Sequence, residues 1–186
     1  MKLIIFEGIA SSGKTTLERM LVDRLPNSKI VTEGDTLMPL IENRDPAVAI
    51  DHLRKLLVEF QKETAEYLII DRFHLTHAFR AHTSLKEFSV IEDGLCELGE
   101  VLIVLLTIDA DSIKARIEEA MSYRKDQWKK GVQGTLEEKT IYYTEQQEQL
   151  KQLQRTTTLP SIMIDTTNKD WERYVLEIEG VLKASV

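Results

Sequence analysis

The sequence predicts an α/β fold in three layers, a five-stranded parallel sheet with helices on both faces. Two observations predict it. Apolar runs of strand length alternate with longer stretches of helical spacing, and most of those runs are rich in Ile or Val, as expected of strands buried on both faces. A length of 186 residues suits one compact domain, so residues 1–186 are expected to form a single unit. With 42% hydrophobic and 30% charged residues there is enough apolar material for a core and too much for a disordered chain.

The strands are expected at residues 2–7 (KLIIFE), 29–33 (KIVTE), 67–71 (YLIID), 101–107 (VLIVLLT) and 161–165 (SIMID). After the first, Leu17, Met20, Leu21 and Leu25 fall at helical spacing; after the fourth, Ile113, Ile117 and Met121 do the same, so a helix is expected after each strand. No repeat, low-complexity tract or long linker divides the chain. One stretch breaks the pattern. Residues 121–134, MSYRKDQWKKGVQG, gather Arg124, Lys125, Lys129 and Lys130 near two glycines, between a helix from about Asp111 and a long polar one to about Arg155. By itself this cluster reads as a solvated charged face.

A net charge of −7 repels polyanions, which disfavours a broad nucleic-acid surface and leaves phosphate binding to backbone amides or a local basic patch. Cys96 is the single cysteine, which excludes an internal disulfide framework or a CxxC site and fits a reducing compartment, so a cytoplasmic protein is expected. The opening MKLIIFEG is too short an apolar stretch for a signal peptide, and no run approaches the roughly 18 apolar residues of a membrane span.

Residues 8–15, Gly-Ile-Ala-Ser-Ser-Gly-Lys-Thr, match the GxxxxGK[ST] phosphate-binding loop, and they lie between an expected strand and an expected helix. Gly8 and Gly13 permit the backbone to turn successive amides inward as an anion nest, and the following helix adds its positive end. Lys14 is expected to reach the β- and γ-phosphates, with Thr15 completing the shell of a magnesium ion. The three-layer sheet is thereby a P-loop NTPase fold. A nucleoside triphosphate with Mg2+ is expected there, held by Gly8, Ser11, Ser12, Gly13, Lys14, Thr15 and Thr16. Ligands of open parallel sheets lie across the carboxyl ends of the strands, which makes Glu7, Glu33 and Asp71 candidates by position. Asp71, after three apolar residues, reads either as a Walker-B acid near magnesium or as a cap of the next helix.

Four stretches, FEGIASSGKTT at 6–16, IIDRF at 69–73, IDADSIKARIEEA at 108–120 leading into the basic segment, and IDTTNKDWERYVLEI at 164–178, resemble the thymidylate kinase branch of the P-loop nucleoside and nucleotide kinases. They occur in the family's order along nearly the whole chain. The resemblance implies that Lys14 and the loop hold the donor phosphates and that Asp71 sits near magnesium. It implies that Arg72 binds the acceptor's phosphate or 5′ end, that Arg116 lies beside the adenine, and that Thr166, Thr167 and Asn168 frame it. A basic lid at about 121–134 would bring Arg124 over the transferring phosphoryl group. Glu33, Arg72, Thr76 and Phe79 would face the acceptor.

Departures from the family concentrate on the acceptor side. Ala10 stands where thymidylate kinases usually carry an acid, Thr32-Glu33-Gly34-Asp35 where they carry Arg-Glu-Pro-Gly, and Phe79 comes one residue early for the family's stacking aromatic, about 100° around a helix. His74, His77 and His82 lack the companion acids of a metal motif and read as surface or acceptor-pocket residues. Trp171 reads as packing the last helix on the sheet, and Trp128 either as a lid residue or as a shield against water. The function expected is ATP-dependent phosphotransfer, a (deoxy)nucleoside monophosphate kinase resembling thymidylate kinase. A deoxynucleoside kinase or another small-metabolite P-loop kinase is the alternative. A GTP-binding regulatory protein comes next, since Asn168-Lys169-Asp170 resembles part of a guanine-reading pattern. The partners expected are a nucleoside triphosphate donor and a small nucleotide or nucleoside acceptor, with no membrane or polymeric nucleic acid; a homodimer is compatible with the sequence.

Overall fold

The protein is described by a computed structural model covering residues 1–123 and 134–184. Along the chain run β1 (Lys2–Gly8), α1 (Lys14–Arg24), β2 (Ser28–Val31), α2 (Glu33–Thr36), α3 (Pro46–Phe60), β3 (Tyr67–Asp71), α4 (His74–Arg80) and α5 (Ser89–Leu98). They are followed by β4 (Glu100–Thr107), α6 (Ala110–Tyr123), α7 (Leu136–Gln154), β5 (Ser161–Asp165) and α8 (Trp171–Ala184). The five strands pair in the order β2-β3-β1-β4-β5, and every pairing is parallel.

Strand parity sorts the core. Leu3, Ile5, Leu68, Ile70, Ile103 and Leu105 pack beneath apolar residues of α3, α4, α5 and α7. Ile4, Phe6, Ile69, Leu102, Val104 and Leu106 pack beneath α1 and α8. Because both faces are covered, the strands show no polar alternation, and the period of two survives only in which apolar residue joins which layer. The connection leaving β1 enters α1 on one face, whereas that leaving β3 enters α4 on the other, so a crevice opens at their carboxyl ends.

The second strand ends earlier than its apolar pattern suggests. The Asp35 carboxylate folds back to accept from the Thr32 amide at 3.1 Å and its hydroxyl at 2.8 Å, which stops β2 at Val31 and puts Glu33 on the short helix α2. Of the basic segment expected at 121–134, residues 121–123 end α6, while Arg124, Lys125, Trp128, Lys129 and Lys130 lie outside the described residues. Among the described residues no helix is long and apolar enough to cross a membrane.

Candidate active site

The loop between β1 and α1 has the backbone its glycines require. Gly8 has φ 142° and Gly13 φ 98°, and a Cβ on Gly8 would stand 2.6 Å from the Leu106 carbonyl oxygen. At Gly13 the added carbon would fall 2.5 Å from the Trp171 ring, so Trp171 packs on the loop itself as well as edge-on to Tyr174 at 5.9 Å. Ser11 is left-handed at φ 67°. The side-chain oxygens of Ser11 and Ser12 are buried with no hydrogen-bond partner, as are no others in the loop. Thr15 and Thr16 are exposed at the start of α1.

Lys14 is buried, and its ammonium donates to the Gly8 and Ile9 carbonyls at 3.3 and 3.2 Å. Burial, then the Arg72 guanidinium, lowers its pKa below the ordinary lysine value, against the carboxylates of Asp71, Glu33 and Glu18. An anionic phosphate at the loop would reverse that pressure. Glu18 was not among the residues suggested by the motif. Its only signal in the sequence is an acid one turn after Lys14, on the face of α1 that otherwise carries Leu17 and Leu21. It is 3% exposed with Oε1 unpartnered, and burial followed by Asp71 pushes its pKa up to about 8.

Parity separates the three strand-end carboxylates. Asp71 shares its face with Ile69, whose layer contains Leu17 and Leu21, so it is directed toward α1. Its Oδ1 is buried without a partner, while its backbone carbonyl accepts from the Thr36 hydroxyl at 2.7 Å. Glu7 shares its face with Leu3 and Ile5 and turns the other way. Fully buried, it accepts from the amides of Phe73 at 2.9 Å and Thr76 at 3.2 Å and from the Thr76 hydroxyl. The expected trio is therefore a pair, and Glu7 instead anchors the entrance to α4.

Arg72 follows Asp71 in the left-handed region at φ 61°, with its amide donating to the Phe6 carbonyl at 2.8 Å. Its Nε stands 3.2 Å from Glu33 Oε1, a charge contact without hydrogen-bond alignment. Burial weakens the guanidinium's hold on its proton, but Glu33, Asp71 and Glu7 outweigh it and raise the pKa further. Thr76 is buried on Glu7. Phe79 lies in the core with its ring edge-on to Tyr142 at 6.0 Å and His82 at 6.3 Å. His74 and His77 are also interior: His74 faces Glu92 at 3.3 Å, and His77 Nε2 meets the Thr36 carbonyl at 3.0 Å. Of the two readings, surface or acceptor-pocket, burial removes the surface one for these two, because α4 is covered on all sides. Among the described residues no three His, Cys, Asp or Glu side chains converge on a metal position.

On the other side of the loop, Arg116 of α6 donates to the Ser11 carbonyl at 3.3 Å and to the Thr166 carbonyl, and its guanidinium lies 5.7 Å from the Trp171 ring centre. The Thr166 hydroxyl bonds the Ser12 carbonyl at 2.8 Å, and Thr167 accepts from the Asp109 amide at 2.7 Å. Asn168 is exposed beside them. Arg116, Thr166, Thr167 and Asn168 thus form one wall next to the phosphate loop, and Lys14, Asp71, Arg72 and Glu33 form the other. The unpartnered Asp71, Ser11 and Ser12 oxygens are what a magnesium–phosphate group would satisfy, and Asp71 and Thr15 offer the hard oxygen donors that ion takes.

This architecture is the fold of the P-loop nucleoside and nucleotide kinases. The YorR protein of Bacillus subtilis, solved in complex with phosphorylated GDP, superposes with TM-score 0.71 at 19% identity over 98% of this chain and 96% of that one. Thymidylate kinase of Candida albicans gives 0.61 at 17% identity, covering 98% and 91%. Deoxyadenosine kinase of M. mycoides, with the products dCMP and a flexible dCDP bound, gives 0.57 at 14% identity over 100% of both chains. No protein-family model matches the chain, and no curated protein matches its sequence.

Proposed function

We propose that this protein is an ATP-dependent phosphotransferase whose acceptor is a nucleoside monophosphate, built as one domain over residues 1–186 with 121–134 as its lid. The observation that carries the reading is the charge cluster at the phosphate loop, where Lys14, Asp71 and Arg72 are all buried, Asp71 Oδ1 has no partner, and Arg72 stands 3.2 Å from Glu33. Gly8, Ser11, Ser12, Gly13, Thr15 and Thr16 cradle the donor phosphates. Arg116 and the loop at Thr166, Thr167 and Asn168 hold the adenine. Magnesium, held by Thr15 and Asp71, supplies charge neutralisation of the β- and γ-phosphates when bound.

Catalysis is then chiefly positioning and charge compensation. Arg72 holds the acceptor's phosphate so that one of its oxygens meets the γ-phosphorus in line; the new P–O bond forms as the bond to the β-phosphate oxygen breaks. Lys14 offsets the charge that grows on the transferring group. Glu7 keeps Arg72 in place through the Phe73 and Thr76 amides, while Thr76 and Phe79 support the acceptor wall from behind.

Glu33 favours a second reading. A carboxylate 3.2 Å from Arg72 could serve as general base for the 5′-hydroxyl of a free nucleoside, a role typically worth 10² to 10⁴ in rate. A monophosphate is already anionic and needs no such base. The test is ATP consumption by the wild type and by Glu33→Gln against nucleosides and their monophosphates. The monophosphate reading predicts a loss of about tenfold or less. A thousandfold loss with unchanged ATP affinity, and a nucleoside as the better acceptor, would replace it with the nucleoside kinase.

A further inference from the structure

The phosphate-loop pattern asks for nothing at the fourth position after its lysine. This chain puts a glutamate there, on the inner face of α1. Residues four apart stack on a helix, so Glu18 lies beneath Lys14. Strand parity brings Asp71 to the same side, because Ile69 joins the layer that contains Leu17 and Leu21. Two carboxylates are thus directed into one space, 3% and 7% exposed, each with an oxygen that has no hydrogen-bond partner. Lys14 and Arg72 act on both carboxylates through space, but neither hydrogen-bonds them: Lys14 donates to the carbonyls of Gly8 and Ile9, and Arg72 Nε stands 3.2 Å from Glu33. Burying two such groups together is costly unless a positive charge joins them. An apolar residue would pack this face of α1 without that cost, as Leu17 and Leu21 do.

We propose that Glu18 is the second carboxylate of the divalent-cation site, which with Asp71 draws the magnesium ion against the donor phosphates. The proposal rests on the reading of the loop as a nucleotide site. Since no three acidic, histidine or cysteine side chains among the described residues could hold an ion unaided, the other ligands are the phosphates and the Thr15 hydroxyl. The effect of Glu18 therefore belongs to the cation-dependent part of nucleotide binding. Without the cation that contribution is absent.

Calorimetric binding of the non-hydrolysable analogue AMP-PNP, with Mg2+ and with EDTA, separates these effects without any turnover. In Glu18→Gln the gain in affinity from Mg2+ should shrink by about tenfold or more, the usual consequence of removing a residue that supports a metal site. Affinity in EDTA should stay about the same. Glu18→Leu, which fills the buried position with apolar atoms, should behave alike and keeps the test open if the glutamine variant folds poorly. An undiminished magnesium gain in both variants, or an equal fall with and without the ion, overturns the proposal and leaves Glu18 a packing residue. Absence of AMP-PNP binding to the wild type both with Mg2+ and with EDTA overturns the nucleotide-site reading, and this proposal with it.

Discussion

Replacing Glu7 tests how the fold positions its acceptor side. The carboxylate is fully buried and accepts from the Phe73 amide at 2.9 Å, the Thr76 amide at 3.2 Å and the Thr76 hydroxyl. Glu7→Met keeps the length of the side chain and removes both acceptors. Each buried donor left without a partner costs about 1–3 kcal/mol. The Thr76 hydroxyl can rotate to another acceptor, and the variant no longer buries a charge, so a net loss of about 3 kcal/mol is expected. For a chain of this size that lowers the melting temperature by about 6–12 °C. Glu7→Gln retains one oxygen for the two amides and should lose only about 1 kcal/mol, or roughly 2–4 °C. Thermal unfolding followed by circular dichroism measures both. If both variants melt within about 2 °C of the wild type, Glu7 does not anchor α4 and the reasoning fails.

Gly13→Ala combines a left-handed backbone at φ 98° with a Cβ 2.5 Å from the Trp171 ring, so it should cost about 3 kcal/mol of stability and weaken AMP-PNP binding, as denaturation and calorimetry would show. His77, pushed down to about 4 chiefly by burial, is neutral in the folded protein, whereas in the unfolded chain it titrates near 6.5. The unfolded chain therefore binds the extra proton first, and stability present above pH 6.5 is lost as the pH falls toward 4, by about 3 kcal/mol in all. Urea titrations across this window should show that slope in the wild type and a shallower one in His77→Gln, which can still donate to the Thr36 carbonyl.

The layers were legible because apolar runs and helical spacing report burial directly, and the phosphate loop because its glycines and lysine have a fixed order. Asp71 and Arg72 could be placed at a strand end for the same reason. What the pattern could not convey was which face a strand-end residue takes: Glu7 and Asp71 are both acids after apolar runs, and only the pairing register and the layer of Ile5 or Ile69 sends one toward α4 and the other toward α1. The end of β2 was misjudged because Asp35 bonds back to Thr32, a local contact that overrides the strand pattern. Glu18 carries no such signal, because a single acid in a helix is ordinarily a solvated one, and its burial follows from how the Leu17 and Leu21 face of α1 packs on the sheet. Phe79 and His77 show the converse: their burial around the short helix α4 comes from tertiary packing that residue type alone does not report.

The central claim is that Lys14 and its loop move a phosphoryl group from ATP to a nucleosidic acceptor. The most direct measurement incubates the protein with Mg2+ and γ-labelled ATP and follows the label into nucleosides, nucleoside monophosphates and small hydroxylated metabolites, alongside Lys14→Ala. Label should pass to a nucleoside monophosphate, and the variant should lose turnover by about 10² or more while keeping the wild-type melting curve. Failure to label any acceptor, or equal transfer by wild type and Lys14→Ala, would contradict the account.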